Sequence, residues 1–352
     1  MNSRERLLTS ARLGLADCVP VAPYMGNWGA AVAGVPIDRY CRSGRLMAEA
    51  QLRAWELLEQ DAVVPQSDGY YIAEGFGVQV EHHPDSTPTV TRVALEKLDD
   101  VERLRAPDPR RDGRMPVYLE AVERLAAALG DRVAIRATGT GPFSLAGHLL
   151  GAERFVTELA LIAVEPNAEA ERALRRLMDL ATEALIAFAR SALAAGADIV
   201  QAGDSLASLD MISPAIYERW ALPYEKRFFA AVRDECAHRG AVSLLHICGD
   251  TTSILPLMAG TGADILEIDH KVDLATAKRL VGGRVCLMGN LDPTGVLLRS
   301  SPDGVAAAAR RAIAAASRGG GFVLGSGCEV PPRAPLANLR AMVAAARAAA
   351  AC

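Results

Sequence analysis

Short β-rich apolar runs alternate with longer Ala/Leu/Arg/Glu stretches of helical period along most of the chain, and this alternation limits the possible folds more than any other feature. Parallel strands need a crossover long enough to bring the chain back to the same edge, so strand, helix, strand in repetition is the pattern of a parallel sheet. The strand runs are VPVAPY (19–24), DAVVPQ (61–66), RVAIRATGT (132–140), ADIVQAGD (197–204), AVSLLHICGD (241–250), ADILEIDH (263–270), RVCLMGNLD (284–292) and GFVLGSGC (321–328). Eight such runs predict an α/β fold of one closed (β/α)8 TIM barrel, a single domain over residues 1–352. The turns "AAGAD", "HRGA" and "TGAD" stop the helices that feed the fourth, fifth and sixth runs.

Two segments stand outside the alternation. An N-terminal helix precedes the first run. Between the second and third runs, "SDGYYIAEGFGVQVEHHPDSTPTVTRV" (67–93) reads as a β-hairpin excursion folded over one mouth of the barrel, because connections of this length in a compact domain are usually functional.

Charge and composition exclude several functions. The net charge is −4 with both signs interleaved, so no basic tract is available for nucleic acid or an anionic membrane. The N-terminus "MNSRERLLTSARLGLADCVP" carries charges throughout, unlike a signal peptide, and no later run approaches the roughly twenty apolar residues that span a bilayer. A cytoplasmic protein acting on small molecules is expected. Seven cysteines, odd in number and scattered, argue against a disulfide framework and leave metal binding or catalysis open.

Barrel enzymes carry their chemistry at the C-terminal ends of the strands, which directs attention to the polar residues that finish each run. The fifth run ends in His246-x-Cys248, a spacing that places both side chains on one face of a strand, and the eighth ends at Cys328. Imidazole and thiolates suit Zn²⁺, and three protein ligands with an open fourth position is the pattern of a catalytic zinc. A buried histidine beside a small apolar cysteine is the competing reading of the same residues.

The stretches "TGPFSLAGHLLG" (140–151), "ADIVQAGDSLAS" (197–208), "LPYEKR" (222–227), "LLHICGDTTSIL" (244–255), "GADILEID" (262–269), "LMGNLDP" (287–293) and "GSGCEVPPRAPLANLRAMV" (326–343) carry a resemblance over almost the whole chain. It resembles the uroporphyrinogen decarboxylase superfamily, on the branch of the methylcobalamin:thiol methyltransferases. The resemblance implies that His246, Cys248 and Cys328 ligate zinc and that a thiol acceptor activated there takes a methyl group from a methylcorrinoid. The decarboxylases themselves carry an arginine-rich N-terminal signature, whereas no arginine lies between Val19 and Pro36 here. A decarboxylase-like lyase is therefore the minor alternative, alongside a non-catalytic barrel that binds zinc or a corrinoid partner. No D-x-H-x-x-G corrinoid-binding signature is present, so the donor is expected as methylcobalamin or on a separate corrinoid protein.

Other strand-end residues are weaker candidates. Asp204 orients a ligand, relays a proton or caps "SLASLD", and Asp269 is a candidate partner for His246. Asn27 and Trp28, with Met25, are candidates for the floor of the substrate pocket, and Asn290 for a turn or a substrate contact. Glu329 follows Cys328 and points away unless a turn brings it to the open metal position. Cys18, Cys41, Cys236, Cys286 and Cys352 are read as structural, and His82 and His83 as exposed polar residues.

Overall fold

In the computed structural model, which describes residues 1–349, the strands in chain order are β1 (Ala62–Val63), β2 (Gln79–Glu81), β3 (Thr89–Arg92), β4 (Ala134–Ala137), β5 (Ile199–Gly203), β6 (Val242–Ile247), β7 (Ile265–Ile268), β8 (Cys286–Leu291) and β9 (Phe322–Ser326). Seven of them form one parallel sheet in the order β1-β4-β5-β6-β7-β8-β9, with helices in the crossovers. The remaining pair, β2 and β3, is the expected antiparallel hairpin.

The first run, 19–24, is narrowed to a single parallel bridge between Val21 and Leu324 of β9. Pro20 and Pro23 flank Val21 and have no N–H to donate, so the ladder cannot extend in either direction. The run still takes the eighth place around the barrel, because the Asp61 amide, just before β1, donates to the Val21 carbonyl at 2.8 Å. Buried Asp61 holds this closure together. Its carboxylate accepts the Val21 N–H at 2.8 Å and pairs at 2.9 Å with Arg6 and at 2.9 Å with Arg347. Arg6 comes from the N-terminal helix Ser3–Ala11 and Arg347 from the last helix, Leu336–Ala348.

The N-terminal helix starts with a capping box in which Asn2 accepts the Glu5 amide at 2.8 Å and Glu5 accepts the Asn2 amide at 3.0 Å. Its buried Leu7 and Leu8 plug the bottom of the barrel, each contributing about 1.5–3 kcal/mol of burial. Above them the inward positions recur every second residue, as strand geometry requires. The lower ones, such as Ala134, Ile199, Val242 and Ile265, pack with the plug in one apolar cluster. The next level up is polar: Arg136, Gln201 and Glu267 are buried, and Arg136 donates to both of the others. The outward alternates join the larger cluster beneath the helices. The interior thus changes from apolar to polar towards the C-terminal mouth.

The segment before the hairpin lines that mouth and is fixed by one buried guanidinium. Arg114 makes two 2.8 Å bonds to Asp68 and one of 2.7 Å to Glu74. The hairpin turn is tied to the body by the Ile37 amide, which donates to the Pro84 carbonyl at 2.9 Å. Among the described residues no helix is long and apolar enough to cross a membrane.

Candidate metal centre and substrate cavity

His246 is the last inward residue of β6, and Cys248 follows two positions on, so the strand's own period sends both side chains to the mouth. Gly249, at φ +83°, then turns the chain away; a Cβ there would lie 2.6 Å from the Ser208 hydroxyl. Cys328 arrives from the end of β9. Nε2 of His246 lies 3.2 Å from Sγ of Cys248, which lies 3.8 Å from Sγ of Cys328. The three donor atoms are all within 4.8 Å of one another.

The surroundings orient this group. Nδ1 of His246 is 3.2 Å from both the backbone carbonyl and Oε2 of Glu267, its neighbour in register on β7. The Nδ1–H therefore points to Glu267, and it is Nε2 that faces the two sulfurs. Arg136 holds Glu267 in turn through two bonds of 2.6 Å. Burial would raise the Glu267 carboxyl, but Arg136 outweighs it and keeps the group below the usual carboxylate range. The rest of the guanidinium is also occupied, with Nε donating to Gln201 at 2.8 Å and the plane 4.7 Å from the Tyr24 ring centre.

The Ser205 hydroxyl lies 3.2 Å from Sγ of Cys248. Between the two cysteines, the hydrogen bond from Cys328 draws Cys248 down towards thiolate, and the same contact pushes Cys328 up. Burial lowers His246, yet the adjacent Cys248 overcomes it and lifts the ring to about 9. One imidazole nitrogen, positioned through its other N–H, and two sulfurs form a donor set that could hold zinc with one position left for a further ligand.

A cavity of about 320 Å³ opens beside this group, lined by His246 and Cys328 together with Tyr24, Gln66, Gln201, His148 and Glu329. The segment 67–71 forms one wall and Thr87, at the hairpin turn, reaches the rim. His148 packs against Tyr70 with ring centres 4.8 Å apart, and burial pushes its pKa down to about 4. Glu329 turns into the cavity, its Oε1 accepting the Asn27 amide at 2.8 Å, and burial pushes it up to about 7.

Several weaker candidates sit elsewhere. Asp204 is fully buried and caps a helix other than the expected one, accepting the amides of Phe143 and Ser144 at 3.2 and 2.6 Å at the start of helix Pro142–Leu150. Its own amide donates to the His246 carbonyl at 2.8 Å, so it supports β6 through the backbone alone. Asp269 is not the partner of His246. Glu267, two positions earlier on the same inward face, takes that place, while Asp269 accepts the Lys271 amide at 3.0 Å and lies 2.9 Å from His270.

Asn27, Trp28 and Asn290 do not line the cavity. The chain turns into helix Gly26–Val32 directly after the first run, which buries Trp28 with its indole N–H on the Ala334 carbonyl at 2.8 Å and directs Asn27 to the Ser67 carbonyl at 2.7 Å. Asn290 instead donates to the carbonyls of Asp269 and Val272, tying β8 to the loop after β7. Met25 is buried outside the lining. Cys236 and Cys286 are buried thiols that burial pushes up to about 12, as packing residues should be. Cys352 lies outside the described residues.

A parallel barrel with convergent metal-type donors and a cavity at its C-terminal mouth has the layout of a barrel enzyme. The uroporphyrinogen decarboxylase family profile matches residues 2–349. Methylcobamide:CoM methyltransferase MtbA of Methanosarcina acetivorans is 31% identical over 260 residues, 74% of this chain and 71% of that protein. Methylcobamide:CoM methyltransferase MtaA of Methanosarcina barkeri is 31% identical over 302 residues, 85% of this chain and 83% of that one. A solved methyltransferase from Methanosarcina mazei superposes with a TM-score of 0.88 at 28% identity, covering 99% of this chain and 98% of that chain. The protein belongs to the uroporphyrinogen decarboxylase family, on its methyltransferase branch.

Proposed function

We propose that the protein is a zinc-dependent methyltransferase that moves a methyl group from a methylcorrinoid, either methylcobalamin or a methylated corrinoid protein, to the sulfur of a small thiol. The observation that carries this reading is the convergence of His246, Cys248 and Cys328 beside the cavity, in a chain similar to methylcobamide methyltransferases. These three residues would hold the ion. Zinc, when bound, supplies the positive charge that favours the thiolate form of an acceptor whose free pKa is near 8.5.

The remaining work falls to the chain itself. Glu267 and Arg136 fix the tautomer and the angle of His246, and the Ser205 hydroxyl is within reach of Cys248. A cavity of about 320 Å³ accommodates a small thiol but not a corrin ring. The corrinoid therefore presents its methyl group from the mouth, over the hairpin and the strand-end loops. The acceptor sulfur attacks the methyl carbon in line, the carbon–cobalt bond breaks with its electron pair left on cobalt, and the thiol proton leaves to solvent. The products are a methyl thioether and cob(I)alamin, and the work is done in the cytoplasm.

The test is methylcobalamin demethylation by purified zinc-loaded protein with a panel of small thiols, followed by absorbance and by mass spectrometry of the thioether. Turnover that disappears in Cys328→Ser supports the reading. Inactivity with every thiol, combined with decarboxylation of uroporphyrinogen, would replace it with the lyase alternative.

A further inference from the structure

Resting on the thiol methyltransferase reading, we propose that the acceptor is a small thiol without an anionic group, bearing a hydroxyl or an amine at the end remote from sulfur. The charges around the cavity lead to this class. Among the described residues no lysine or arginine lines it, and of the two acids that do, Asp68 is paired with Arg114 and Glu329 accepts the Asn27 amide. A sulfonate or carboxylate on the acceptor would give up its hydration in a partly enclosed space that offers it no counter-charge.

The lysine and arginine side chains near the cavity are already engaged. Arg114 lies behind the wall, with its donors on Asp68, Glu74 and the Cys41 carbonyl. Arg136 is committed to Glu267 and Gln201 and is covered by Tyr24. Lys271, on the loop after β7, is held by Asp210 at 2.7 Å. The helix Pro142–Leu150 could have offered free amides to an anion, but Asp204 accepts from Phe143 and Ser144 at its first turn. His148 stays uncharged at neutral pH because burial pushes it down to about 4. An acceptor ending in a sulfonate, as coenzyme M does, would find no counter-charge here. A hydroxyl or amine group finds a hydrogen-bonding partner in the Glu329 carboxyl, of which Asn27 uses only Oε1.

The experiment compares three two-carbon thiols that differ only at the far end: 2-mercaptoethanol, cysteamine and 2-mercaptoethanesulfonate. With methylcobalamin as donor, kcat/KM is expected to be at least about tenfold higher for the first two than for the sulfonate. Thr87→Arg, on the exposed hairpin turn that borders the cavity, supplies the missing cation and should raise kcat/KM for the sulfonate thiol alone. Calorimetric binding of the corresponding S-methyl products ranks the three end groups without any turnover. If the sulfonate compound binds or reacts as well as the others, the inference is overturned and the methyltransferase reading stands. If no thiol is methylated, that reading falls, and product binding still decides the charge preference of the cavity.

Discussion

His246 and Glu267 sit side by side on adjacent parallel strands, with Nδ1 of the imidazole 3.2 Å from Oε2 of the carboxylate, and Arg136 grips the same carboxylate from across the barrel at 2.6 Å. The pair connects the stability of the barrel interior to the geometry of the proposed metal site.

Replacing Glu267 by Gln should therefore have two effects. Arg136 loses its buried counter-charge, at a cost of about 3–5 kcal/mol, and His246 loses the group that orients it, lowering zinc affinity about 10–100-fold. Urea denaturation reads the first effect and titration against a chromophoric chelator the second. A variant with native stability and native zinc affinity would show that the contact does neither job.

The purified protein should carry about one zinc per chain, as three convergent ligands close a single site. Cys248→Ser and Cys328→Ser exchange a soft thiolate for a hydroxyl that stays protonated, so most of the metal should be lost while the fold persists. Cys236→Ser and Cys286→Ala should keep the metal and cost on the order of 1 kcal/mol in packing. Elemental analysis with a melting curve checks all four. Full zinc in Cys328→Ser, with loss in Cys236→Ser, would refute the ligand assignment.

His148 predicts a pH dependence of known sign. Its folded pKa is pushed by burial to about 4 from an unfolded value of 6.5, so the unfolded chain binds the extra proton between these values. The contribution of the neutral ring is fully present above the unfolded pKa and is lost as pH falls through the folded one, on the order of 3 kcal/mol in total. His148→Gln removes this titration. The stability difference between the native protein and the variant should rise with pH between about 4 and 6.5 in urea midpoints, and a flat difference would contradict the burial of the ring.

Asp61→Ala should destabilise the whole barrel by about 3–5 kcal/mol, because Arg6 and Arg347 lose their shared buried partner where the first run meets β1. Zinc bound per folded chain should not change, since the closure lies far from the strand ends that carry the ligands. A loss of metal at native stability would reverse that assignment.

The sequence alone determined the barrel and the proposed ligand set, for a shared physical reason: both depend on short periods. Strand and helix spacing can be read within a dozen residues, and a strand's period of two puts His246 and Cys248 on one face whatever surrounds them. The ends of the strands in a parallel barrel then gather Cys328 with them.

Tertiary structure decided everything that depends on pairing across the barrel. Arg136 and Glu267 each look like a charge interrupting an apolar run, and only the closed sheet joins them across 131 positions. Asp68 and His148 gave no local signal, since their role as cavity wall arises when a loop and a helix from different crossovers are packed over one mouth. Asn27 and Trp28 were expected in the pocket because they follow a strand, but the next turn of chain is a helix whose packing buries them. A strand end specifies where the chain leaves the sheet; only packing against distant segments decides which of the following side chains turn back towards the axis.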